Sequence, residues 1–386
     1  MDLARHLLEL MAPAKVGDSL APGARWTGIS TELGLRLVVD LGGVDVLVEV
    51  DPVDPARPFA VRTQHFAVSY RGVDANAPPD HRAGLELCRV VAERIDANES
   101  AALPRLRAEA ATARSEATEV GRLREVRVRQ LLENAGSRFE PHYWLTPYVG
   151  CLIGCQFCYA QARVSPLRRL GGLPQAPWGS WVDVRVNAAE VLAEELSRLP
   201  PAPIKFCPIV SDPYHAAEKR YRITRQCLEA IRKAKKWPAL VLTRSSLALE
   251  DLGLLAGIRG AAIGVSLPTM DDTVRKHFEP RAASINERLT LLSEAKERGL
   301  TTFAIVQPLL PGALSFLADA LADLADSVRI DVLHGVEGAA AQFADPRFLD
   351  AAARHWQQER AEALATALKE RNVPLWPGEL PPHLAV

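Results

Sequence analysis

From about Thr146 onward, short apolar runs alternate with amphipathic stretches, and no other feature of the 386 residues restricts the fold as much. Strand candidates are Trp181–Val186, Ile204–Val210, Ala239–Thr243, Ala261–Ser266 and Thr301–Gln307. Helical periodicity lies between them, near Ala188–Leu199, Thr224–Lys236, Leu249–Ala256 and Ile285–Arg298. Regular β-α alternation implies a parallel sheet, open or closed into a barrel, because parallel strands need helical crossovers. In such sheets chemistry gathers at the carboxyl ends of the strands. Val328–Leu333 adds a further strand ending at His334-Gly335, and the Pro-rich end PLWPGELPPHLAV reads as an extended tail.

The first third reads differently. Leu33–Val50 alternates apolar and polar residues around Gly42-Gly43, a hairpin pattern whose turn tolerates positive φ. A strand is expected at Phe59–Tyr70, then helices at Ala83–Asn98 and Pro104–Asn134, the second interrupted near Gly121. The expected division is an α+β domain with a connecting helix over 1–135, a core over 136–335, and a C-terminal helix and Pro-rich tail over 336–386. The first of these shows no catalytic signature.

Composition narrows the function classes. There are 46 basic and 47 acidic residues, a formal net charge of −1, so the whole chain is neither a polycationic binder nor a disordered segment. No window approaches 18 consecutive apolar residues, and MDLARHLLELMAPAKVG lacks a basic-then-apolar signal architecture. The expectation is a cytoplasmic protein with no membrane partner. Six cysteines, three of them within eight positions, argue against a disulfide scaffold and for a metal site.

That cluster is Cys151-Leu-Ile-Gly-Cys155-Gln-Phe-Cys158-Tyr159. Three thiolates at these spacings, with Gly154 allowing a tight turn, can converge on one metal centre. Thiolates ligate both iron–sulfur clusters and structural zinc. Zinc wants a fourth protein ligand; the adjacent loop has none, although Cys207 or His142 could serve. Three ligands without a fourth suit a four-iron cluster whose last iron is open to a substrate or cofactor.

The C-x3-C-x2-C motif, with aromatics at Phe157 and Tyr159 and the lead-in Thr-Pro-Tyr-Val-Gly, resembles the radical S-adenosylmethionine (SAM) superfamily. The order of later motifs resembles its spore photoproduct lyase-like group. These are Ser211-Asp212-Pro213-Tyr214, Leu242-Thr243-Arg244-Ser245, Val265-Ser266-Leu267, Phe278-Glu279-Pro280-Arg281, Arg288 and Val306-Gln307-Pro308. The resemblance covers roughly Tyr143–Gly312. It implies a partial (β/α)6 TIM-like barrel of the radical SAM type behind the N-terminal α+β domain, with a [4Fe-4S] cluster and SAM as cofactors. Reductive cleavage of SAM would give a 5′-deoxyadenosyl radical that abstracts hydrogen from a substrate the sequence does not name. Cys151, Cys155 and Cys158 would ligate the cluster. Tyr159 would lie near the adenine, with Phe157 close by. Arg244 offers a planar fork to the SAM carboxylate, Ser211 and Ser266 offer hydroxyls from strand ends, and Asp212 could accept from the amino group or ribose. An electron donor such as flavodoxin or ferredoxin would be a partner.

Other readings compete. Ser211-Asp212-Pro213-Tyr214 by itself suits a turn, Arg244 by itself a surface arginine, and Tyr159 a core aromatic. Cys88 and Cys227 sit at apolar helical spacing and read as buried structural thiols. Cys207 is a weak catalytic candidate. The lyase that names the group has a hydrogen-donor cysteine two residues before the position of Ser211, where this chain has Ile209. Cys207 shares that face but lies one pleat deeper, a departure that argues against thymine-dimer repair. Lys219–Lys236 holds eight Lys or Arg against Glu229 alone. Such a run is a solvated helix face or a nucleic-acid patch. The alternatives to a radical SAM enzyme on an unknown substrate are thus a lesion-repair or nucleic-acid-binding protein and a non-catalytic Fe–S or zinc protein.

Overall fold

The N-terminal third folds as an antiparallel sheet of β1 (Ser19–Ala21), β2 (Ala24–Ser30), β3 (Leu35–Leu41), β4 (Val44–Pro52), β5 (Val61–Arg62) and β6 (Phe66–Gly72). Its order is β1-β2-β3-β4-β6-β5. The computed structural model describes residues 7–30, 34–53, 59–73, 78–115, 118–120, 122–135, 140–206, 210–336 and 338–384. Leu33, Gly121, Cys207 and Ile209 lie outside the described residues. The expected hairpin forms: Leu41 pairs with Val44, and Gly42 and Gly43 both take positive φ. Leu35, Leu37 and Val39 on β3 and Val46, Val48 and Val50 on β4 are buried against Leu87, Cys88, Val91 and Ile95 of the helix His81–Ser115. The single strand expected at Phe59–Tyr70 is two, because Thr63 turns the chain by pairing with Phe66 through both its backbone N–H and its hydroxyl.

The helical reading of Pro104–Asn134 needs correction. One helix runs from His81 to Ser115 with Pro104 inside it, held by burial of Leu103 and Leu106 on either side of the proline. After it come β7 (Thr118–Val120), β8 (Leu123–Val126) and β9 (Leu132–Ala135). Tertiary pairing overrides local helix propensity here. β8 runs parallel to β12 (Val182–Arg185), and β9 runs antiparallel to β10 (His142–Leu145). The buried carboxylate of Glu195 accepts from the N–H groups of Leu131 and Leu132.

Beyond this point the β-α alternation is realised. β10, β13 (Ile204–Phe206), β14 (Ala239–Thr243), β15 (Ala262–Ser266), β16 (Thr301–Val306) and β17 (Ser327–Ile330) run parallel in the order β17-β16-β15-β14-β13-β10, with β9 at the edge. Each is followed by a helical connection, so the fold is a partial (β/α)6 TIM-like barrel behind an N-terminal α+β portion. The strand expected at Trp181–Val186 is β12, but it joins β8 and β11 (Tyr148–Val149) in a separate four-stranded sheet.

The central strands are apolar on both faces, as burial on both sides requires. Val241, Ile263, Val265, Ala304 and Val306 meet the surrounding helices. Leu240, Leu242, Ala262 and Phe303 line the opposite face and meet Trp376, Leu380 and Leu384. The Pro-rich end is therefore not a free tail. Leu375 bridges to Val328, and the Trp376 ring lies 6.2 Å from that of Phe303. Lys205, whose side chain is 5% exposed, pairs with Glu379 at 2.6 Å. A lysine so buried needs a counter-charge, and the C-terminal segment supplies it. Among the described residues no helix is long and apolar enough to cross a membrane.

Gly264 on β15 leaves space for the Phe303 ring, and a Cβ there would stand 2.5 Å from it. Gly264→Ala is expected to cost about 1–3 kcal/mol by overpacking. Gly253→Ala, with nothing within 4 Å, is expected to be neutral or stabilising by up to about 1 kcal/mol. Chemical denaturation of both variants checks this.

Candidate functional site

The carboxyl ends of the parallel strands converge on the cysteine loop. Beyond β13 stand Ser211 and Asp212; Arg244 follows β14; Ser266 ends β15; Gln307 follows β16 and Asp331 follows β17. The cysteine loop leaves β11 at Gly150, whose N–H bonds to Val210 O at 3.1 Å beside Ser211. Gln156 N–H bonds to Phe278 O at 2.9 Å, and Arg281 Nε donates to Ile153 O at 3.2 Å. Gly154, at φ +60°, lies under the Arg281 guanidinium where any Cβ would collide with it. The glycine between the first two cysteines thus serves close approach as well as the turn.

Cys151 and Cys155 are buried and Cys158 is half-buried. Burial raises all three thiols, Cys151 up to about 12 with Asp212 adding repulsion. Cys158 caps the helix Tyr159–Leu170, where backbone N–H groups of Ala160 and Gln161 oppose that rise. Buried thiols that resist ionisation alone become ligands when a cation replaces the proton. Three sulfurs brought together by one loop suit a cluster with one open iron. Among the described residues, no three His, Cys, Asp or Glu side chains form a group that could hold a single metal ion. The ligands of a cluster each take a different iron.

Glu279 organises the charge around this loop. It is 0% exposed, and its Oε1 meets Arg244 Nε at 2.5 Å and Cys155 Sγ at 3.8 Å. Its Oε2 meets Arg288 Nη2 at 2.7 Å, and Arg288 is itself fully buried. Burial works against the carboxylate, yet Arg288 and Arg244 hold its pKa below the ordinary value. At Cys155, Arg244 opposes the rise that burial and Glu279 impose on the thiol. Burial likewise opposes the charge on Arg244, but Cys155 and Glu279 keep its pKa above the ordinary value.

The structure places the other expected residues as follows. Arg244 is at the rim, but its fork is partly engaged: Nε by Glu279 and Nη2 by Gln307 O at 3.2 Å. Phe157 lies 5.6 Å beneath the same guanidinium and 6.3 Å from Phe278. Asp212 is buried and already accepts from Thr243 Oγ1 at 2.7 Å, Tyr214 N at 2.9 Å and Arg244 N at 2.8 Å. It therefore ties β13 to β14. Burial raises its pKa against these hydrogen bonds. Ser211 and Ser266 are buried at the same rim, and Ser266 O accepts from Arg288. The Tyr159 ring stands 6.1 Å from that of His334. Cys207 lies outside the described residues. Cys88 and Cys227 are buried in the two main cores, as expected.

Two features carried no role in the sequence reading. Glu279 was legible only as a letter of the Phe-Glu-Pro-Arg motif. The aromatic cover over the cysteine loop was not legible at all: Phe278 packs against Phe343 at 4.8 Å and Phe348 at 5.4 Å. These phenylalanines belong to the same apolar cluster as Cys151, Cys155 and Phe157 and shield it from water.

The basic run divides. Arg222 pairs with Glu250, and Arg225 with Glu229 and Asp251. Lys233, Lys235 and Lys236 are exposed, at the helix end that leads into the amino end of β14, away from the cysteine loop.

Residues 145–314 match the Radical SAM superfamily. An uncharacterized protein of Methanocaldococcus jannaschii is 27% identical over 172 residues, 44% of this chain and 61% of its own length. A radical SAM Nalpha-GlyT isomerase of Pseudomonas phage M6 is 26% identical over 188 residues, 47% of this chain and 37% of its own length. The chain spans about half the length of the curated relatives it matches. Among solved structures, spore photoproduct lyase complexed with dinucleoside spore photoproduct aligns with TM-score 0.46 and 15% identity, over 64% of this chain and 78% of that one.

Removing Glu279 leaves the buried Arg288 and the part-buried Arg244 guanidiniums without this counter-charge. Glu279→Gln is expected to cost on the order of 3–5 kcal/mol in chemical denaturation. A carboxylate whose pKa is lowered on folding contributes stability above its unfolded pKa and loses it as pH falls. The wild type should therefore weaken as pH falls below about 4.3, and the variant's acid limb should be flatter.

Proposed function

We propose, from the radical SAM domain that the chain carries in residues 145–314, that this protein is a radical SAM enzyme with a [4Fe-4S] cluster held by Cys151, Cys155 and Cys158. The superfamily uses such a cluster with SAM, and its members need a reductant and a substrate. When bound and reduced by one electron, SAM is cleaved to methionine and a 5′-deoxyadenosyl radical that takes a hydrogen atom from the substrate. The single observation that carries the reading is three thiols on one loop at the strand carboxyl ends, beside the ion network of Arg244, Glu279 and Arg288.

The roles of this chain's residues follow from their placement. Arg244 keeps Nη1 for an anionic ligand, which suits the SAM carboxylate, while Glu279 and Gln307 fix its orientation. Arg288 ties Glu279 to the end of β15 at Ser266. Asp212 acts here by holding the backbone of Arg244, a change from direct contact with SAM. Ser211 and Ser266 offer hydroxyls at the rim, and Tyr159 an aromatic face beside the last ligand. Phe278, Phe343 and Phe348 exclude water, which strengthens every charge interaction inside. The electron would come from a small carrier such as flavodoxin or ferredoxin in the cytoplasm. Nucleic acid remains a second partner through Lys219 and Arg220, which are exposed at the helix end nearer the site; Lys233, Lys235 and Lys236 face away from it.

Anaerobic reconstitution tests the reading. The wild type should take up four irons and four sulfides, and release 5′-deoxyadenosine from SAM with dithionite. Cys151→Ala, Cys155→Ala and Cys158→Ala should each lose the iron and the product. Zinc uptake without iron, or iron without SAM cleavage, would refute it.

A further inference from the structure

Gly154, between Cys151 and Cys155, lies against Gly179, which leads into β12. The Gly179 Cα is 2.8 Å from where a Gly154 Cβ would stand, and the converse distance is 2.9 Å. Both glycines take positive φ, +60° and +85°, and the nearest side chain over both is Arg281. Two backbones meet at this separation only when neither carries a side chain. The glycines are buried, but Arg281 is exposed, as are Pro280 beside it and Ala176 and Pro177 before Gly179. On another flank the cysteine loop lies behind Phe278, Phe343 and Phe348. At the glycines the loop is covered by one further backbone and a guanidinium; at Phe278 it is covered by a layer of rings.

The charge outside this contact is positive. From Gly150 to Val182 the chain carries Arg163, Arg168 and Arg169 and no Asp or Glu. Arg163 pairs with Asp51 at 2.7 Å, and Arg168 stacks on Trp181 at 3.7 Å with Asp183 3.6 Å away. Between Asp272 and Ala283 the two acids are engaged, Glu279 by Arg244 and Arg288 and Asp272 by Arg275 and Lys276. Arg281 donates through Nε to Ile153 O at 3.2 Å, and among the described residues no carboxylate pairs with it. An exposed arginine without a counter-ion, set over the loop of the three cysteines, attracts an acidic surface. The segment over Phe278 is less suited to one: it carries Asp345, tied to Arg347 at 2.6 Å, and the exposed Asp350.

We propose that a small acidic one-electron carrier docks on the Arg281 face and reduces the cluster across the contact of Gly154 with Gly179. This rests on the cofactor reading above. One electron leaves the carrier and one enters the cluster; no bond forms or breaks, and no proton moves. Complementary charge at such a face speeds association and is screened by salt. Electron transfer falls off steeply with separation, so two bare backbones at the docking point give a shorter path than a layer of aromatic rings.

The reconstituted holoenzyme tests this without turnover. The probe is an acidic ferredoxin, reduced beforehand, and the comparison is reduced methyl viologen, a small cation. Freeze-quench electron paramagnetic resonance follows reduction of the four-iron cluster with SAM left out. Ferredoxin should reduce the wild type about tenfold faster at low than at high ionic strength. Arg281→Glu should slow ferredoxin at low salt by about tenfold, leaving the methyl viologen rate and the iron content unchanged. Lys233→Glu, which reverses an exposed charge away from the loop, should change neither rate. Arg281→Lys should keep the wild-type rate, and a carbodiimide should couple it to a ferredoxin carboxylate at position 281. That coupling carries the test if Arg281→Glu loses iron. An unchanged ferredoxin rate in Arg281→Glu, equal slowing of both reductants, equal slowing in Lys233→Glu, or coupling only elsewhere would overturn the proposal. So would a short DNA duplex whose binding depends on Arg281 while that of ferredoxin does not. A wild type that takes up no iron, or that neither reductant reduces, would instead overturn the cofactor reading.

Discussion

One buried carboxylate between two guanidiniums sets the terms for the rest of the site. Glu279 is fully buried, and Arg244 and Arg288 approach it from opposite sides at 2.5 and 2.7 Å. Such a group tolerates neither loss of a partner nor entry of water. It spans three elements: the segment after the helix Asp272–Phe278, the end of β14, and the helix Ile285–Glu297. Arg288 also reaches Ser266 O and so fixes the end of β15. The cysteine loop then rests on this frame through Cys155 Sγ and through the bond from Gln156 N–H to Phe278 O.

The charge balance has a chemical consequence. Arg244 faces two carboxylates, Glu279 through its side chain and Asp212 through its backbone N–H, and also acts on the thiols of Cys155 and Cys158. Burial raises the thiols, and the carboxylates of Asp212 and Glu279 add to that rise. Arg244 opposes that rise at Cys155 and Cys158, so it favours the thiolate form of both. The aromatic cover of Phe278, Phe343 and Phe348 keeps the local dielectric low, where these interactions are strongest. Stability and chemistry here depend on the same few contacts.

The C-terminal segment plays a comparable part at the other side of the sheet. β17 and β10 are the two ends of a six-stranded parallel set that does not close on itself among the described residues. Residues 375–384 cross its inner face, pairing with β17 at Leu375 and with Lys205 through Glu379. The carboxylate of Glu140, just before β10, accepts from Glu379 N and Leu380 N. A stretch with four prolines has little helix or strand signal of its own. Its position depends on partners as far as 240 residues away, which no local reading of Pro374–Leu384 contains.

By itself, the sequence determined the parallel alternation, the Gly42-Gly43 hairpin, the cysteine triad and the rim positions of Ser211, Arg244 and Ser266. Each is written in local periodicity or in fixed spacing along the chain. Tertiary structure alone decided that residues 118–135 are strands, since their hydrogen-bond partners lie on β10 and β12. It decided that Asp212 is saturated by donors from β14 and that Arg244 shares its fork with Glu279. It also brought His334 beside Tyr159 across 175 positions. Spacing along a chain specifies which groups one loop can bring together. Which charge a buried group must neutralise is settled only when distant elements exclude water from the same volume.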